Sequence, residues 1–174
     1  CVDQNREGSA RVIVPEEQDP VLSAMQDAAR RTGLWVHLGS LALSDPQSGK
    51  RLNRGFLIDD RGAIRARYDK MHLFDVDLPS GETWRESNSY VAGDQAVAAQ
   101  TPWGRLGLAI CYDLRFPDLF RALSNAGADI ISVPAAFTVP TGEAHWHVLL
   151  RARAIESAAF VVATAQTGQH EDGR

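Results

Sequence analysis

The sequence predicts an α/β fold built on a mixed sheet. Short apolar runs rich in β-forming residues alternate along the chain with stretches of helical period. Two pairs of neighbouring runs are joined by hairpin-like turns, which requires antiparallel pairing. Between them, capping residues mark where each helix starts and stops.

In chain order, ARVIVP (10–15) reads as a short strand stopped by Pro15. Asp19-Pro20 supplies an N-cap and a first-turn proline for an amphipathic helix that Gly33 ends, with Val21, Leu22, Met25, Ala28 and Ala29 on one face. LWVHLGSLAL (34–43) is a buried strand, and LNRGFLID (52–59) pairs through the DDRG turn with AIRARYDK (63–70). Residues 71–96 show neither period, and a long irregular stretch inside a domain is usually functional or disordered. Phe74, Trp84 and Tyr90 within it favour an ordered loop. VAAQT (97–101) and RLGLAIC (105–111) are strands around a Pro-Trp-Gly turn, and FPDLFRALSNAGA (116–128) is helical. DIISVPAAF (129–137) is strand then loop, AHWHVLLRARAIESA (144–158) a helix and AFVVATAQ (159–166) the last strand.

The 174 residues suffice for one domain with a real core, and 44% apolar with 23% charged residues is ordinary for a globular protein. A net charge of −4, with no basic run longer than Arg30-Arg31, argues against nucleic acid or an anionic membrane as partner. Two cysteines, Cys1 and Cys111, make no disulfide framework, so a reducing, cytoplasmic setting is expected. No apolar run reaches the length of a membrane span. The polar start CVDQNREGS, without Met, and the loop-like end TGQHEDGR suggest a fragment at both ends.

Cys111 falls where a predicted strand turns toward a helix, whose dipole would favour a thiolate. The next N–H, of Tyr112, could face a developing oxyanion. The alternative is a small buried side chain, since free Cys is among the most buried residue types. Of the five histidines, His37 sits inside an apolar strand, while His145 and His147 lie two apart on a helix and point to different sides. That spacing makes a poor metal pair, and no metal is expected. Lys70 ends a strand as Cys111 does, and sites in α/β sheets collect at strand C-termini. Beside a thiol it could hold thiolate charge and later an oxyanion; otherwise it is a solvated surface lysine.

RYDKMHLFDVDLP, ETWRESNSYVAGD, GLAICYDLRFPDLFRAL and AHWHVLLRARAIES together resemble the carbon–nitrogen hydrolase (nitrilase) superfamily, from about residue 20 to the end. Within it they most resemble the Nit branch, amidases of deaminated glutathione and similar ω-amides. The resemblance implies a single, partial domain with an αββα sandwich, no cofactor, a small-molecule amide substrate, and a homodimer or higher oligomer formed through the helices near 116–126 and 144–158. It implies a Glu–Lys–Cys triad with Lys70 and the nucleophile Cys111, and Glu86 of WRES as a second acid beside Lys70. Tyr112, Arg115, Phe137 and Thr138 are the implied substrate contacts. Arg115 would pair a substrate carboxylate, or else form an ion pair with Asp113 or Asp118. Arg153 and Glu156, three apart on a helix, should form a structural ion pair.

The family's basic glutamate follows a strand in a Pro-Glu pair. VIVPEE offers Glu16, but the helix starting at Asp19-Pro20 leaves no room for the loop that follows that glutamate in the family. The base is therefore expected upstream of residue 1. Another branch (a nitrilase or an N-carbamoyl hydrolase) is the alternative activity, and a non-catalytic assembly domain the alternative class should the base be absent altogether.

Overall fold

A computed structural model of the chain describes residues 12–77, 81 and 83–168. The chain divides into two units, residues 1–95 and 96–174. Cys1, His170 and the first two residues of the expected strand 10–15 lie outside the described residues.

In the first unit a 3-10 turn, Glu16–Gln18, leads into α1, Pro20–Thr32. The Asp19 side chain accepts the Leu22 N–H at 2.8 Å, and Gly33 closes α1 at φ 68°, where a side chain would be strained. Leu22 and Ala29 face inward, whereas Val21 is 46% exposed, a correction to the expected face. Residues 13–15 form no strand. Ser44 donates one N–H to the Val14 carbonyl, and Pro15 has no N–H with which to continue a ladder.

Strands β1 (Val36–Ser44), β2 (Arg51–Ile58) and β3 (Ile64–Asp69) form an antiparallel sheet in sequence order. α1 covers it: Leu22 and Ala29 join Leu43, Phe56 and Ile58 in a buried cluster, with Met25, Leu38 and Ile64 against its rim. Burying such side chains is worth about 1.5–3 kcal/mol each. The stretch expected to be irregular contains a short hairpin, β4 (Asp75–Asp77) with β5 (Thr83–Arg85), then a 3-10 turn, Glu86–Asn88. Three-residue strands are too short to reveal a period of two in sequence, and residues 78–80 and 82 lie outside the description. Phe74 packs on Trp84 with ring centres 6.4 Å apart, which accords with the ordered loop expected from its aromatics.

In the second unit β6 (Val97–Thr101) pairs antiparallel with β7 (Gly104–Leu108), and β7 is followed in parallel by β8 (Ile130–Ser132) and β9 (Phe160–Val162). The sheet is mixed, as the sequence predicts. Crossovers are α2 (Pro117–Asn125) and α3 (Val139–Ser157), which touch each other and pack against β7 and β9 respectively. Gly107 of β7 lets α2 approach: a Cβ there would lie 3.1 Å from Leu123 Cδ1 and 3.3 Å from Ala128 Cβ. α3 begins at Val139, five residues before the expected start. Pro140 is tolerated in a first helical turn, and Gly142 did not prevent it. No helix among the described residues is long and apolar enough to cross a membrane.

Candidate active site

In the first unit Lys70 follows β3 directly and is 4% exposed. Its backbone is clamped from both sides. Its N–H donates to the Asn53 carbonyl of β2 at 2.9 Å, and its carbonyl accepts the Gly93 N–H at 2.9 Å. Gly93 must be glycine for this approach, since a Cβ there would lie 2.2 Å from the Asp69 carbonyl oxygen. With the main chain fixed, the Lys70 ammonium meets Glu86 Oε2 at 2.6 Å. The same oxygen accepts the Phe74 N–H at 2.6 Å, and Oε1 accepts the Asn53 amide at 3.2 Å. An ammonium and a carboxylate are costly to bury singly, and here each offsets the other while backbone and amide donors fill the remaining lone pairs. The resemblance pointed to Lys70 and Glu86 as neighbours, and the structure brings them together. Asn53 carries no sequence signal of this role: it lies among Arg51, Leu52 and Arg54 in the polar half of β2.

Glu16 lies elsewhere in that unit. Its carboxylate accepts from Arg54 Nη1 at 2.8 Å and from Arg67 Nε at 2.8 Å. Partial burial pushes its pKa up, but the bonds and charges of Arg67 and Arg54 outweigh this and hold it below the ordinary carboxylate range. Arg54 also grips Asp69 with two bonds, at 2.7 and 2.8 Å. A carboxylate held ionised between two guanidiniums is a structural tie and a poor proton acceptor.

In the second unit the parallel pairing continues beyond β7: Ala109 N–H donates to Ser132 O at 3.1 Å and Cys111 N–H to Pro134 O at 2.9 Å. The chain stays extended at Ile110 and turns at Cys111, which adopts φ 51°. This left-handed backbone is unfavourable for a residue with a Cβ by roughly 1–2 kcal/mol and is the sort of strain found at active sites. Cys111 opens a 3-10 turn that runs to Arg115, and α2 starts only at Pro117. The expected helix dipole at the thiol is therefore that of one short turn. The turn is anchored twice: Asp113, fully buried, accepts the Ile110 N–H at 2.8 Å, and Arg153 of α3 donates to Leu114 O at 2.9 Å. Arg153 also pairs with Glu156 at 2.6 Å, as expected, and lies over the Phe120 ring.

Phe137 and Thr138 follow β8 as Cys111 follows β7, so all three lie at the C-terminal edge of the parallel strands. Arg115 joins them. Its guanidinium carbon lies 5.8 Å from the Tyr112 ring centre and 5.6 Å from that of Phe137, and its Nη atoms each reach His145 Nδ1 at 3.3 Å. The carboxylates weighed as partners are engaged otherwise, Asp118 with Arg121 and Asp113 with the backbone. Thr138 Oγ1 bonds Thr141 Oγ1 at 2.7 Å. The spacing of His145 from His147 makes it a poor metal ligand and gives no hint that it meets Arg115.

Residues 5–174 match the family model described as carbon-nitrogen hydrolase. The deaminated glutathione amidase of Yersinia enterocolitica is 49% identical over 153 residues, 87% of this chain and 54% of that protein. The deaminated glutathione amidase of Homo sapiens is 45% identical over 158 residues, 88% of this chain and 48% of that protein. The crystal structure of the C. elegans NitFhit protein superposes with a TM-score of 0.81 at 44% identity, covering 87% of this chain and 37% of that one. The chain spans about half the length of the curated relatives it matches. With the mixed α/β architecture and this similarity together, the chain belongs to the carbon–nitrogen hydrolase family.

Proposed function

We propose that the protein is an amidase that hydrolyses the C–N bond of a small linear amide, of the deaminated glutathione or ω-amide class. The observation that carries this reading is Cys111: a half-buried thiol, held at a strained left-handed turn on the C-terminal edge of parallel strands. The names of the similar proteins from Yersinia enterocolitica and Homo sapiens support the substrate class.

In this mechanism a general base takes the Cys111 proton and the thiolate adds to the amide carbonyl. The Tyr112 N–H stabilises the oxyanion, and Lys70 is the triad cation that the resemblance implies. Collapse of the tetrahedral intermediate breaks the C–N bond, the nitrogen leaves as ammonia after protonation, and a thioester to Cys111 remains. Water, deprotonated by the same base, then releases the carboxylic acid and restores the thiol. Glu86 keeps Lys70 in place. Glu16 is not the base in this reading, because both its oxygens serve arginines. Arg115 binds a carboxylate at the far end of the substrate, and Phe137 and Thr138 line the pocket. A cytoplasmic setting suits a catalytic thiol, and a homodimer suits the exposed Val148 and Ile155 of α3.

The test is Cys111→Ala in the full-length protein, with ammonia release followed on an ω-amide. Loss of at least about a thousand-fold in kcat is expected. Unchanged hydrolysis would sink the mechanism.

A further inference from the structure

We infer that His145 is a displaceable occupant of the carboxylate subsite on Arg115 and so tunes how strongly acid-tailed substrates are preferred. This rests on the reading of Arg115 as the carboxylate contact. Arginine has no acceptor, so a hydrogen bond between them uses a lone pair on His145 Nδ1. Both Nη1 and Nη2 lie 3.3 Å from that one nitrogen. The ring therefore occupies the end-on fork of the guanidinium, the edge a carboxylate uses when it places one oxygen on each Nη.

Two features make this occupant weak. One acceptor is shared by two donors at 3.3 Å, longer than the roughly 2.7–2.9 Å of a charge-assisted bond to a carboxylate. His145 is also exposed, so its ring can turn into water. The guanidinium keeps other supports when the ring leaves: the Tyr112 and Phe137 rings flank it, and Phe137 is braced edge-on by Trp146 at 4.9 Å. A substrate carboxylate thus exchanges one shared nitrogen acceptor for two oxygens that share a negative charge. A neutral tail has nothing to offer the fork and leaves His145 in place. The histidine holds the site in the absence of an acid tail, and every acid-tailed substrate must displace it.

The experiment compares glutaramic acid with pentanamide, an amide of equal chain length without the carboxylate, as substrates of the full-length protein. In His145→Ala the ratio of kcat/KM for the acid to that for the neutral amide should rise about 3- to 10-fold, the cost of one modest hydrogen-bonded contact, through a lower KM for the acid. His145→Asn, which returns an acceptor near the position of Nδ1, should restore the wild-type ratio. Inhibition by glutarate reads the same exchange without turnover, and its Ki should fall by the same factor in His145→Ala. An unchanged or lower ratio with an unchanged or higher Ki would overturn the inference, showing His145 to be inert or a support for Arg115. Arg115→Ala separates the layers. If it abolishes the preference for the acid while His145→Ala does nothing, only the role of His145 falls; if the preference survives it, the Arg115 reading falls as well.

Discussion

The two units hold their candidate residues in opposite ways. In the first, Lys70 and Glu86 are a finished structure: a buried ion pair at 2.6 Å, every carboxylate oxygen with a donor, and the lysine backbone bonded on both sides. In the second, Cys111 sits on strained backbone and Arg115 faces an exposed ring across long bonds. A group that supplies a fixed field gains from rigidity, since it need not reorganise during reaction. Groups that form and release covalent or ionic contacts with substrate must stay accessible.

The contrast can be broken most directly at Lys70. Lys70→Met leaves Glu86 buried without its cation and should cost about 3 kcal/mol or more of stability, measured by urea denaturation. Adding Glu86→Gln to it should recover part of that loss, and a single variant as stable as the parent would show that the pair is not buried in a binding sense.

An intermediate effect should come from His37 in β1, whose pKa burial lowers from 6.5 to about 4. In that window the unfolded chain takes up a proton that the folded chain refuses. Stability should therefore be constant from this source above pH 6.5 and fall as pH drops toward 4, by roughly 3 kcal/mol in all. His37→Gln should flatten that part of the Tm-against-pH curve; an unaltered slope would assign the acid limb to other groups.

The smallest effect belongs to Cys111. Because its φ of 51° suits glycine, Cys111→Gly should be more stable than Cys111→Ala by about 1 kcal/mol. Equal stabilities in parallel denaturation curves would mean that the turn relaxes and stores no strain.

Much of this was legible in the sequence because it is local. Asp19-Pro20 and Gly33 delimit α1 by chemistry confined to a few residues, and the order of the long strands follows from apolar runs and the turns between them. Lys70, Glu86 and Cys111 stand out as candidates through motifs, each a contiguous stretch. The failures are also instructive. β4 and β5 are three residues each, shorter than any periodic signal, and ARVIVP (10–15) reads as a strand because composition alone cannot show that residues 13–15 take one bond from Ser44 and form no strand. α3 started early because Pro140 suits a first turn as well as it suits a loop.

By itself, then, the sequence determined the α/β class, the succession of the main elements and the candidates for the reactive groups, since capping, periodicity and motif are properties of neighbouring residues. Only the tertiary structure decided that Asn53 shares Glu86 with Lys70, that Glu16 is spent on two arginines, that Cys111 bends left-handed, and that His145 fills the fork of Arg115. Most of these contacts join residues some thirty or more positions apart, and no local rule of spacing reaches that far. Even the left-handed turn depends on anchors from Pro134 and Arg153, distant in sequence.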